Sequence, residues 1–179
     1  MRQIIAVAGR PGTGKSTLVR KFMGEHIWKR VDPVKLVSAE YCEDLDLFIL
    51  GKYDEGETFP GTDKLSMATQ PEVCKWLESH NSNIIFEGDR LTGSKMYDFI
   101  LGLPDTEVTF IVIHADEKVL KERYVERGSD QPEQFLKAKE TKINNILSNF
   151  EYRMNTEEFQ NNTPQDQYKI LVYINGILL

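Results

Sequence analysis

The sequence predicts an α/β protein: a three-layer α/β/α sandwich on a mainly parallel sheet of about five strands, with a helical lid. Two observations carry this. Short apolar runs alternate with helical patterns along the chain, the order that gives right-handed crossovers and parallel pairing. Residues 9–16 read Gly-Arg-Pro-Gly-Thr-Gly-Lys-Ser. They match G-x-x-x-x-G-K-[ST] at every fixed position and lie between a strand run and a helical run, as a phosphate loop requires.

The elements follow in order. Residues 4–8 are a continuous apolar run, read as a buried strand. Leu18, Val19, Phe22, Met23, His26 and Ile27 recur at helical spacing and predict a first helix over 15–28. Residues 34–39 and 45–50 read as further strands. Residues 51–66, rich in glycine and charge, read as a long loop. Pro71 suits the first turn of a helix that carries Val73, Cys74, Trp76 and Leu77. A buried strand over 83–86 and a helix over 94–101 come next, then a strand over 108–113. Asp116 is placed to cap a helix closing near Gly128. Another helix begins near Pro132, with Ile143, Ile146, Leu147 and Phe150 on its apolar face. Residues 155–167 are polar and read as loop, and 168–174 as a last strand. A single domain is expected over 1–179, with an acceptor-side loop at about 41–66 and a lid at about 120–140.

Composition narrows the function. The net charge of −6 provides no global basic field to draw nucleic acid. Cys42 and Cys74 are the only cysteines, and the three histidines have no metal-ligand spacing. Two thiols without a C-x-x-C motif fit a reducing cytoplasm. No stretch approaches the ~20 apolar residues of a membrane span.

The phosphate loop assigns the first chemistry. Gly9, Pro11, Gly12, Thr13, Gly14, Lys15, Ser16 and Thr17 form the loop for ATP, whose backbone N–H groups, absent only at Pro11, cradle the phosphates. Lys15 reaches the β- and γ-phosphates, and the Ser16 hydroxyl ligates Mg²⁺. A second signal is Glu87-Gly88-Asp89-Arg90, closing a buried strand. Glu87 or Asp89 could hold the metal or accept a proton from an attacking hydroxyl, and Arg90 could clamp an acceptor phosphate. Asp63 rivals Asp89 as the base. Arg123 and Arg127, four apart on a predicted helix, read as lid arginines that stabilise the transferring group. Tyr53 and Phe59 offer rings for an acceptor base in the long loop. Lys137, Lys139 and Lys142 read as a solvated face, with a slight hint of a phosphate-backbone contact.

These residues resemble those of the P-loop nucleoside and nucleotide kinases. The resemblance rests on Gly9 to Thr17, on Glu87-Gly88-Asp89-Arg90 and on Arg123 with Arg127. It implies ATP and Mg²⁺ as cofactors and a nucleotide-like acceptor. The segment from Gly51 through Phe59-Pro60-Gly61-Thr62-Asp63-Lys64-Leu65-Ser66, with Phe86 to Arg90, is similar to phage-type kinases of 5-hydroxymethyluracil in DNA. That likeness implies a modified base as acceptor, in the host cytoplasm. A free deoxynucleoside or nucleoside monophosphate is the alternative acceptor. An ATP-binding sensor without an acceptor is the alternative of another class. A GTPase is disfavoured, because neither N-K-x-D nor a D-x-x-G segment after residues 83–86 occurs.

Overall fold

The computed structural model describes residues 1–54, 56 and 60–178. The described residues form a seven-stranded sheet. Its strands are β1 (Arg2–Gly9), β2 (Lys29–Val34), β3 (Val37–Cys42), β4 (Leu47–Leu50), β5 (Asn83–Glu87), β6 (Thr106–His114) and β7 (Thr156–Gln160). The helices are α1 (Lys15–Met23), α2 (Thr69–Leu77), α3 (Ser94–Leu101), α4 (Glu117–Glu126), α5 (Glu133–Ser148), α6 (Phe150–Arg153) and α7 (Pro164–Leu178). The strand order is β2-β3-β4-β5-β1-β6-β7. From β4 to β7 every pairing is parallel, and β2 and β3 extend one edge antiparallel.

The period of two along β1 divides the core between the two faces of the sheet. Ile4, Ala6 and Ala8 pack with Ile84, Phe86 and Phe110 under α2, α3 and α5. Ile5 and Val7 pack with Ile85 and Ile111 under Leu18, Val19 and Phe22 of α1 and Ile170, Leu171 and Ile174 of α7. Both faces are covered, so the central strands read as continuous apolar runs. This is the expected α/β/α sandwich, with seven strands rather than about five.

Four elements depart from the sequence expectation. The first helix ends at Met23, where Gly24 takes the C-cap, and not at 28. Trp28 folds back to donate from its indole N–H to the Met23 carbonyl at 2.8 Å. Residues 29–34 then form an extra strand at the sheet edge, where the missing N–H of Pro33 is tolerated. The expected strand at 168–174 is the middle of α7, whose buried Gln167, Ile170, Leu171 and Ile174 have helical spacing. Its start is a capping box. Thr163 Oγ1 accepts from the Asp166 N–H at 3.2 Å, and the Asp166 carboxylate accepts from the Thr163 N–H at 3.0 Å. Part of the expected loop at 155–167 is strand β7, parallel to β6. It is polar because it is a short edge strand with exposed Glu157, Glu158 and Gln160.

Asp116 does take the N-cap position of α4, but its side chain makes no capping bond. Its backbone N–H donates to Asn162 Oδ1 at 2.8 Å instead. Gly128, at φ +60°, closes that helix as expected. Among the described residues, no helix is long and apolar enough to cross a membrane.

Candidate active site

Strand β1 lies between β5 and β6, and its carboxyl end runs into the phosphate loop and then α1. Crevices at the carboxyl ends of parallel strands are the usual ligand sites of such sheets. Gly14 and Gly12 show why the loop needs glycine. Gly14 caps α1 in the left-handed region, and a Cβ there would lie 2.5 Å from Asn161 Nδ2. Gly12 has φ +80°, and its Cβ would lie 2.7 Å from the Tyr124 ring.

Other elements hold the loop from outside. The Asn161 amide donates to the Thr13 carbonyl at 2.7 Å. The Arg123 guanidinium donates to the Gly12 carbonyl at 2.9 Å and to the Asn161 carbonyl at 2.7 Å. The Tyr124 hydroxyl donates to the Pro11 carbonyl at 2.7 Å. Thr13 is buried, and its hydroxyl donates to the Arg10 carbonyl at 2.8 Å.

A cavity of about 380 Å³ opens over the loop. Gly9, Pro11, Gly12, Gly14, Lys15 and Ser16 form one wall. Thr17 is exposed and lies outside the lining. The Lys15 ammonium donates to the Gly9 carbonyl at 2.9 Å and the Arg10 carbonyl at 3.1 Å. Burial pushes its pKa below the ordinary lysine range, against the opposing pull of Glu87, Asp89 and Asp63. The Ser16 hydroxyl donates to Glu87 Oε1 at 2.9 Å. Glu87, 2% exposed, closes β5. Burial raises its carboxyl to about 7, although Lys15 and the Ser16 bond favour the anion. Ser16 and Glu87 are the oxygen pair available to a divalent cation. Among the described residues no group of three or more His, Cys, Asp or Glu side chains could hold a metal by itself. A Mg²⁺ ion here would therefore depend on nucleotide phosphates and water, its usual partners.

The turn at Thr62–Lys64, the end of β5 and α5 supply further lining. Asp63 belongs to it, and its carboxylate accepts from the Asp89 N–H at 2.7 Å. Asp89 is clasped by two lysines of α5. Lys139 bonds one carboxylate oxygen, and Lys142 bonds the other at 3.1 Å. Burial pushes the Asp89 pKa up, but the two ammonium groups outweigh it and hold the carboxylate below its ordinary range. Lys139 also lies over the Phe135 ring, 4.7 Å from its centroid.

The expected residues thus divide. The phosphate loop, Glu87, Asp89, Asp63 and Arg127 meet in one cavity. Arg123 does not line it, being spent on the Gly12 and Asn161 carbonyls. Arg90 is also outside, donating to the Leu65 carbonyl at 3.3 Å. Tyr53 is a correction. It is buried in the core cluster that holds Leu18, Ile49 and Ile85, so its ring is not free to stack on a base, while its hydroxyl lies by Glu87 and Asp63 and burial raises its pKa well above the ordinary tyrosine value. Phe59 lies outside the described residues. Sequence reasoning missed Phe135, Lys139 and Lys142 at the cavity, and Asn161 behind the loop. The i, i+3 spacing of Lys139 and Lys142 was the available signal, since it puts both on one helix face.

Residues 5–158 match the family described as an AAA domain. No curated protein matches the chain. A gluconokinase from Sinorhizobium meliloti 1021 aligns at 17% identity and TM-score 0.48, over 99% of this chain and 97% of its own. A sugar kinase from Janibacter sp. HTCC2649 aligns at 15% identity and TM-score 0.48, over 98% and 95%.

Proposed function

This chain belongs to the AAA domain family, and we propose that it is an ATP-dependent phosphotransferase acting on a nucleotide-like acceptor. The supporting observation is one cavity with two unlike linings. The phosphate loop with Lys15 and Ser16 shares it with Asp63, Asp89, Lys139 and Lys142. A nucleotide-binding module alone needs only the first lining.

In this reading ATP lies with its phosphates on the loop N–H groups, and Lys15 leaves its carbonyl partners to meet the β- and γ-phosphates. Ser16 and Glu87 hold Mg²⁺, which supplies charge neutralisation on the phosphates. Arg127 and the cavity-lining residues 128–131 close over the triphosphate, within a lid spanning about 120–140, and exclude water. Arg123 is a positioning residue that fixes the loop. Asp63 or Asp89 orients the attacking hydroxyl of the acceptor. The acceptor oxygen bonds to the γ-phosphorus and gives its proton to that carboxylate, the bond to the β,γ-bridging oxygen breaks, and ADP leaves with that oxygen.

For the acceptor we favour 5-hydroxymethyluracil in DNA, over a free deoxynucleoside or nucleoside monophosphate. Support comes from the likeness of residues 51–66 and 86–90 to the phage-type kinases. A base in DNA must leave its stack to reach such a cavity. The test is [γ-³²P]ATP offered with 5-hydroxymethyluracil DNA, unmodified DNA, nucleosides and monophosphates. Label on the modified DNA is the expected result. Label on monophosphates alone contradicts the DNA acceptor, and label released only as free phosphate contradicts transfer altogether.

A further inference from the structure

We propose that Lys139 and Lys142 are the docking point for a phosphate carried by the acceptor, and that Asp89 occupies this point until the acceptor displaces it. The inference rests on the phosphotransferase reading and deepens it by naming the acceptor as an anionic nucleotide unit.

The geometry begins with the run Lys137, Lys139, Lys142. Lys137 pairs with Glu133 at 2.7 Å, with both side chains at least 70% exposed. Lys139 and Lys142 point the other way, into the cavity, with side chains 22% and 30% exposed. Holding two ammonium groups in a half-buried cavity is unfavourable without an anion. Asp89 is that anion, one carboxylate shared between two ammonium groups. Each ammonium has three N–H donors. Among the described residues, Lys139 uses one on Asp89, and Lys142 uses two, on Asp89 and on Thr92 Oγ1 at 3.3 Å. A phosphate, with more charge and more acceptor oxygens than a carboxylate, suits the pair better than Asp89 does.

The position favours the acceptor over the donor. The residues that grip the loop are Arg123 and Tyr124 of α4 and Asn161 after β7. The two lysines are tied instead to Asp89 and Thr92, which follow β5. Phe135, on the same face of α5, adds an aromatic surface beside the charge, suited to a base next to its phosphate. A neutral sugar would leave the two ammonium groups unused.

Titration calorimetry on the full chain tests this in two steps. Mg²⁺ and the non-hydrolysable ATP analogue AMP-PNP are bound first. Loss of this step contradicts the phosphotransferase reading itself. With AMP-PNP bound, inorganic phosphate, thymidine, thymidine 5′-monophosphate and a thymidine dinucleotide with one internal phosphodiester are titrated. The phosphorylated ligands are expected to bind about tenfold or more tightly than thymidine. Tighter binding of the monophosphate assigns the phosphate to a free nucleotide, and tighter binding of the dinucleotide assigns it to a nucleic-acid strand. Lys139→Met and Lys142→Met should each remove about tenfold of that preference, and the arginine variants should restore it. Asp89→Asn should raise phosphate affinity in the wild-type background and leave it unchanged in the double methionine variant. Equal binding of thymidine and its phosphates, no binding of any phosphate, or lysine variants that weaken AMP-PNP instead would overturn the proposal while leaving the kinase reading standing.

Discussion

Glu87 shows how one buried side chain links folding to chemistry. Its carboxyl titrates near 7 in the folded chain, against 4.5 for an exposed glutamate. Between those values the folded state keeps a proton that the unfolded state has released. Stability from this group therefore falls as pH rises from about 4.5 to about 7. The melting temperature of the nucleotide-free chain should show that downward contribution, and Glu87→Gln should remove it. An unchanged pH profile in the variant would refute the raised value. The metal role has the opposite sign, because only the ionised carboxylate binds a cation. Mg²⁺-dependent ATP binding should strengthen as pH rises through about 7.

At this scale legibility was uneven. Lys15 and Ser16 could be read because a phosphate loop demands fixed types at fixed spacing. Lys139 and Lys142 could not, because a helix with charge on several faces does not reveal which face meets a cavity. Tyr53 was misread because an amphipathic ring suits either a core or a binding surface.

Among the elements, α4 and the turn between β7 and α7 matter most, because their side chains hold the carbonyls of the phosphate loop. Asn161 is 2% exposed and carries the Thr13 carbonyl. Asn161→Ala should lower stability by about 1–3 kcal/mol, as expected for a buried carbonyl left without its donor. Urea denaturation measures this. A loss below the experimental error would mean that the loop holds its shape unaided.

The central strands and α3 were legible from apolar runs and helical spacing. The hairpin of β2 and β3 was half seen, because Pro33 and the charged residues beside it do not read as a strand. Strand β7 was hidden because an edge strand need not be apolar. Helix α7 was mistaken for a strand because Tyr168, Ile170, Val172, Tyr173 and Ile174 are types enriched in strands. The Thr163-Pro-Gln-Asp166 capping box was the sign that should have prevailed.

The whole molecule is a parallel sheet whose central strand delivers a phosphate loop to a crevice, with further lining supplied from α5. Its acidic balance of 28 carboxylates to 22 lysines and arginines makes local cations count. Lys15, Arg127, Lys139 and Lys142 gather at one cavity, beside Asp63, Glu87, Asp89 and Asp130, in a chain of net negative charge. The most direct measurement of the central claim is calorimetric titration of the chain and of Lys15→Ala with ATP and Mg²⁺. One molecule of ATP should bind per chain, and the variant should lose about a hundredfold or more in affinity while melting within a few degrees of the parent. ATP bound equally well by the folded variant, or bound by neither protein, would contradict the account.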